Sequence, residues 1–479
     1  MKNIHTVLVL AAAALLAACG SPAGGGDPGG GGDPAGGGGG ESALILRINA
    51  GADKSFTIPT NNAWDYDWYI DWGDGTVEAR ETGTGAVNSG ISHAFPGNTE
   101  YTISIRAQGL TGHGAFGFSA TTDGSNTPAN KEKLLKALGH IKENTSAAAL
   151  PSAWAFCFYG CSNLNEVSAN LLPAVPKGTS DIFSGMFYNC ISLASLPAGF
   201  RLPEVPNGTS NIFAAMFYNC ISLASLPAGF RLPAVPKGTS DIFYGMFLDC
   251  SSLASLPAGF SLPAVPNGTS GIFSSMFSGC SSLASLPAGF SLPAVPKGTS
   301  GIFYGMFLDC SSLESLPAGF SLPAVPNGTS NIFYDMFLGC SSLASLPAGF
   351  SLPAVPKGTS DIFSAMFFGC SSLASLPAGF SLPAVPNGTS HIFSYMFSSC
   401  SSLEADITDL ISKPLMDAAR LNGHSYNMYA TFYLCAKLTG FGNTAITTGF
   451  AGATPSNDKN TFYGCTGLSD YPDIPVNWK

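Results

Sequence analysis

The sequence predicts a mixed α/β protein: a long repeat solenoid preceded by a small all-β sandwich. Three observations lead there. The block Met246-Phe247-Leu248-Asp249-Cys250-Ser251-Ser252-Leu253-Ala254-Ser255-Leu256-Pro257 returns, barely changed, every thirty residues. A fixed period of that length belongs to units that cannot bury their own apolar side and must stack on the next. Between Ser42 and about Gly109, short aromatic and β-branched runs are separated by turn residues. Charged residues make up only 10% of the 479, well under the roughly 25% of ordinary domains. That suits a surface built from small and hydroxyl side chains. The net charge of −10 offers no basic stripe to displace counterions, which argues against nucleic acid as a partner.

The chain opens on Met1-Lys2-Asn3-Ile4-His5 and an apolar run from Val7 to Ala18, too short to span a bilayer. It ends in Leu16-Ala17-Ala18-Cys19-Gly20, which resembles the lipobox of bacterial lipoproteins. The resemblance implies a signal peptide over 1–19, a diacylglycerol on the Cys19 thiol and a destination in the cell envelope. Gly20 in place of Asp is compatible with passage to the outer membrane. Residues 20–41 are almost all glycine, a flexible tether with a reach of roughly 25 Å.

Residues 42–110 form the β domain, with strands expected at Leu44–Ile48, Phe56–Ile58, Trp68–Trp72 and Tyr101–Ile105. Asp74-Gly75 is a tight-turn signal. The run Asp71-Trp72-Gly73-Asp74-Gly75-Thr76, then His93, Phe95 and Tyr101–Ile105, resembles the PKD-type immunoglobulin-like sandwich. Asp65, Asp67, Asp71 and Asp74 invite a calcium reading, but they lack the spacing of a cation loop, and aspartate in a hairpin needs only backbone geometry. Residues 111–150 connect or cap. Within them Lys131–Lys142 fits a helix or a degenerate first strand, and the sequence does not choose.

The repeats run over 151–403, and divergent repeats with a C-terminal cap fill 404–479. Their cysteines fall at Cys161, Cys190, Cys220, Cys250, Cys280, Cys310, Cys340, Cys370, Cys400, Cys435 and Cys465, giving about eleven units, mostly of 30 residues. One equivalent cysteine per unit predicts a ladder about 4.8 Å per step. Parallel Cβ vectors at that spacing fit a disulfide poorly, and buried thiols packing as small hydrophobes fit well. In the unit from Cys250, Ser252–Leu256 reads as a short strand ended by Pro257. Ser270 would N-cap a short helical segment with Ile272, Phe273, Met276 and Phe277 on one stripe. Lysine and asparagine alternate before Gly-Thr-Ser (Lys237, Asn267, Lys297, Asn327), the mark of a duplicated sixty-residue unit. Glu404–Arg420, broken at Pro414, reads as an inserted helix.

The pattern Met-Phe-x-x-Cys-x-Ser-Leu-x-x-Leu-Pro over roughly 150–479 resembles the BspA-type leucine-rich repeats of bacterial surface proteins. A longer Pro-Ala-Gly-Phe-x-Leu-Pro-Ala-Val-Pro insert separates it from the family's commoner, shorter units. The resemblance implies an adhesin-like protein that engages host matrix, a receptor or another cell. Positions flanking Met-Phe vary while the stripe stays fixed. Tyr188, Tyr218, Tyr244, Tyr304, Tyr334 and Tyr395 are therefore the candidate ligand-contact face, with packing between segments as the alternative reading. The six histidines are scattered (His5, His93, His113, His140, His391, His424), and no Ser-His-Asp or Cys-His set or phosphate loop can be assembled. The expectation is a binding protein without catalytic residues, metal or cofactor, lipid-anchored and surface-exposed. Its partner is an extracellular protein or, alternatively, a glycan or the envelope itself.

Overall fold

A computed structural model describes residues 43–60, 65–84, 89–108, 112–113, 116–118, 131–142, 154–415, 426–450 and 459–479. Six strands build the first part: β1 (Ala43–Asn49), β2 (Ser55–Thr60), β3 (Asp65–Asp71), β4 (Ala79–Thr84), β5 (Ser89–Ala94) and β6 (Glu100–Ala107). Alternation of apolar and polar residues sets the faces. In β1, Leu44, Leu46 and Ile48 are buried while Arg47 and Asn49 are exposed, as a period of two requires. β4 and β5, with the polar sequences ARETGT and SGISHA, carry no strand pattern and were not expected. Antiparallel pairing to β3 and β2 holds them in place. Trp72 stacks on His93 at 4.6 Å and meets Phe95 edge-on, so the β2–β5 pair shares its core with the larger sheet.

The connector resolves as a strand. Lys131–Lys133 makes one 3-10 turn, and β7 (Leu134–Gly139) pairs antiparallel with β1. On its other edge β7 pairs in parallel with β8 (Glu166–Val167), which lies in the first repeat. The large sheet therefore has the order β4-β3-β6-β1-β7-β8, so the first strands, β7 and the start of the repeats share one sheet. Side chains secure the joint. Trp68 Nε1 donates to the Gly112 carbonyl at 2.8 Å, and Trp154 Nε1 to that of His113 at 3.4 Å. Phe116 packs on Phe158 at 5.7 Å.

The repeats then stack coil on coil, and their backbone corrects the expected helix and hence the mixed α/β class. From Asp241 to Cys250 the chain is a ribbon of overlapping turns. Tyr244, Met246, Leu248 and Cys250 donate to the carbonyl three residues back, at 3.0–3.2 Å. The intervening Asp241, Phe243, Gly245, Phe247 and Asp249 donate to the next coil, at 2.8–3.1 Å. From Phe243 to Cys250 alternate amides thus bond along the stack and locally, so that each of these donors is paired. What blocks the helix is a left-handed residue every fourth position: Asp241, Gly245 and Asp249 have φ of 54°, 54° and 58°. Four residues per turn unit buries Ile242, Phe243, Met246 and Phe247 together. This is the same i, i+1, i+4, i+5 stripe that a helix would bury, so the pattern alone cannot separate the two. The expected strand Ser252–Leu256 is also reduced, to single parallel bridges such as Ser225↔Ser255↔Ser285.

Like residues meet like along the stack. Phe217, Phe247, Phe277 and Phe307 stack ring on ring at 5.5–5.8 Å with planes within 7°. Phe260 lies edge-on to Phe277. From Cys190 to Cys465 each ladder thiol donates to a phenylalanine carbonyl one coil back, at 2.9–3.2 Å. The described cysteines are free and buried.

Of the inserted helix expected over Glu404–Arg420, residues 416–420 lie outside the described residues and the described part forms a short helix. α1 (Ile407–Leu410) is N-capped by Asp406, whose carboxylate accepts the Thr408 amide at 2.8 Å. α2 (Gly442–Phe450) offers its first amides to Asp470 at 2.6 and 2.8 Å, where a carboxylate also favours the helix dipole. Trp478 closes the stack: its carbonyl accepts the Phe462 amide, and its ring packs on Phe450 at 4.7 Å.

Candidate ligand-contact face

The turn ribbon sets three columns of left-handed residues along the solenoid. The first runs Asp181, Asn211, Asp241, Gly271, Gly301, Asn331, Asp361, His391, and the second and third follow at offsets of four and eight residues. Only residues that tolerate φ near +55° stand there cheaply, which favours Gly, Asn and Asp. These variable positions were legible as Gly/Asn/Asp at four-residue spacing, but that signal was missed behind the apolar stripe. The columns interlock. A Cβ on Gly271 would meet Asp241 Oδ1 at 2.0 Å, and one on Gly339 would meet Asp309 Oδ1 at 2.0 Å. Each aspartate thus lies over a glycine of the next coil. Asn219 Nδ2 donates to Asn189 Oδ1 at 2.6 Å in the same manner.

The six tyrosines do not form one outward row. Tyr188 is half-buried, stacked between Tyr159 at 5.0 Å and Tyr218 at 4.3 Å. Burial and the neighbouring Tyr188 and Asp249 raise the Tyr218 pKa far above its ordinary value. Tyr304 and Tyr334 form a second stack, 5.1 Å apart with planes 3° apart. Tyr244 shares their register but has Ala214 and Ser274 as its counterparts in the adjacent coils. Tyr395 lies one residue out of that register. It occupies the second left-handed column (φ 57°), is 39% exposed, and packs edge-on against Tyr429 at 5.2 Å. The first five are half-buried because their rings cover one another or the adjoining coil.

A different side presents Ser195, Ser225, Ser255, Ser285, Ser315, Ser345 and Ser375, exposed and joined by parallel bridges. Behind them, the Ser281 and Ser311 hydroxyls donate to carbonyls one coil back at 3.4 Å.

The remaining sequence candidates separate. Asp67 takes a two-point ion pair from Arg80 at 2.8 and 2.7 Å. Asp74 is held by His93 at 2.8 Å and by Thr76; against the desolvation of its site, these bonds keep its carboxyl at about 2. Asp71 accepts the Gly73 amide. The aspartates of the calcium reading are thus engaged one by one, and among the described residues no group of three or more His, Cys, Asp or Glu is placed to hold a metal ion. Burial raises the ladder thiols well above their ordinary range, as at Cys250 and Cys280, away from the reactive thiolate. Cys19 lies outside the described residues.

A comparison with curated proteins returned no match. Residues 152–413 match the BspA type leucine rich repeat region in six copies. That stretch covers more than half of the chain and coincides with the coils whose thiols, phenylalanines and turn amides pair in register, so the protein belongs to the BspA-type leucine-rich-repeat family.

Proposed function

We propose that this protein is a lipid-anchored surface protein that binds another macromolecule, an extracellular protein of a host or partner cell, through the variable side of its solenoid. We count eleven modules, one per ladder cysteine. The β-sheet domain serves as a PKD-like spacer between the Gly-rich tether and the repeats, and Cys19 carries the lipid in the outer membrane. One observation supports the reading above others. Sequence variation among near-identical coils concentrates on the tyrosine-bearing and left-handed positions, while the buried stripe of Ile, Phe, Met and Phe is constant. A rigid scaffold with one diversified side is what protein recognition exploits.

The exposed serine ladder favours a second reading, a glycan-binding or envelope scaffold protein, since regularly spaced hydroxyls suit polyhydroxyl ligands. Binding of the full chain to immobilised matrix proteins and to purified glycans separates the two. Retention by proteins supports the adhesin-like reading, and retention by glycans alone removes it. Labelled fatty-acid incorporation that persists in Cys19→Ser would overturn the anchor.

A further inference from the structure

On the variable side several carboxylates, those of Asp181, Asp241 and Asp335 included, lack a partner of opposite charge among the described residues, and that of Asp335 also lacks a hydrogen bond. Asp335 stands in the second left-handed column (φ 56°), where other coils place Gly185, Ala215, Gly245, Ser275, Gly305 and Ala365. The residue is only 7% exposed. Among the described residues its carboxylate has neither a hydrogen bond nor an ion pair, and its charged neighbours are Asp309 and Asp361, both acidic. A buried carboxylate left so is costly unless a proton or a cation neutralises it. Burial first, and the two like charges second, raise its pKa to about 8.

The three aspartates follow a diagonal set by the ribbon. Asp309 lies in the third column of one coil, Asp335 in the second column of the next, and Asp361 in the first column of the one after. Each step is one thirty-residue coil forward and one four-residue column back. Tyr304 and Tyr334 flank the middle step, and the field of Asp335 contributes to the raised pKa of both.

The geometry narrows the chemistry of what fits. No described group of acidic residues is placed for metal coordination, so a single small ion does not answer the diagonal. The Tyr304 and Tyr334 rings stack on each other at 5.1 Å, which closes one face of each to a ligand. Phenol oxygens and carboxylates spread over three coils are acceptors for the ammonium or guanidinium groups of an extended chain.

We propose that the Asp309–Asp335–Asp361 diagonal, with Tyr304 and Tyr334, docks a basic segment of the partner protein and seats a Lys or Arg side chain at Asp335. This deepens the protein-binding reading and rests on it.

The test is anisotropy of a labelled nona-arginine peptide on the full chain, comparing wild type, Asp335→Asn and Glu314→Gln, with chitohexaose and calcium as competitors. Asparagine tolerates the left-handed backbone, so Asp335→Asn keeps the fold, and a thermal melt verifies this. Affinity is expected to fall at least tenfold in Asp335→Asn and to stay unchanged in Glu314→Gln, whose residue is exposed beside the serine ladder. Equal affinity in all three chains overturns the proposal, as does an equal loss in both variants or displacement by calcium or chitohexaose. The variants are also taken through the matrix-protein assay. Undiminished protein binding by Asp335→Asn removes the diagonal alone, whereas no protein binding by the wild type removes the broader reading with it.

Discussion

The β-sheet domain and the solenoid solve the same problem, burying apolar side chains and pairing amides, by opposite means. In the domain most contacts join unlike residues: Leu44 faces Ile105, Trp72 stacks on His93, and Trp68 reaches a backbone carbonyl across forty-four residues. In the solenoid each residue meets its own copy. Phe247 sits between Phe217 and Phe277, and Ser255 bridges Ser225 and Ser285. Like-on-like stacking makes contacts predictable from the period alone and spreads stability over nearest neighbours. The unlike packing of the domain instead concentrates it in a few irreplaceable contacts.

The sharpest way to break the solenoid half of this contrast is Phe307→Ala. The ring is fully buried and stacked on both Phe277 and Phe337. Its loss should cost about 3–5 kcal/mol, read by chemical denaturation. The solenoid transition is expected to move while hydrogen exchange of β1 and β6 does not.

Acid tests the joint between the two halves. His113 is fully buried, its Nε2 meets the Ile105 carbonyl at 3.0 Å, and its Nδ1 accepts the Lys142 amide at 2.9 Å. Burial lowers its pKa to about 4 from 6.5. The folded form therefore holds its proton more weakly than the unfolded chain. The stabilisation is present above pH 6.5 and drains away as pH falls toward 4, by about 3 kcal/mol at 1.36 kcal/mol per unit. Faster exchange of the β7 amides over that window is the expected sign, and a flat profile would remove His113 from the joint.

Cys250→Ala removes one S–H···O bond to Phe217 and leaves a small void, for about 1–2 kcal/mol. Thiol titration should otherwise show the native ladder inert until unfolding. Ser255→Ala, on the exposed ladder, should stay within about 0.5 kcal/mol, because its bridge is made by backbone.

How much of this was legible follows from the same contrast. The stacking and the buried thiols were readable, because an identical residue every thirty positions can only meet its copy. β1, β2, β3 and β6 were readable from their alternation, whereas β4 and β5 were not, since their polar residues are held by pairing rather than by a buried face. The helix in each repeat was misread for a specific reason: left-handed residues at Asp241, Gly245 and Asp249 convert a helical stripe into turns without moving an apolar residue. For the tyrosines the sequence left exposure and packing open, because a ring next to its own copy spends part of its surface on stacking, as Tyr188 and Tyr218 do. The Asp335 diagonal escaped notice because its members lie in three different coils and three different columns.

Stacking in register is tested most directly by distances between nitroxide labels on cysteines introduced at exposed Ala198 paired with Ala318, Ala348 or Ala378, the buried native thiols being left unlabelled. Four, five and six coils of separation should give distances of about 19, 24 and 29 Å, rising by one strand spacing of ~4.8 Å at each step. Distances that fail to climb with coil number, or a single broad distribution common to all three pairs, would contradict a continuous stack.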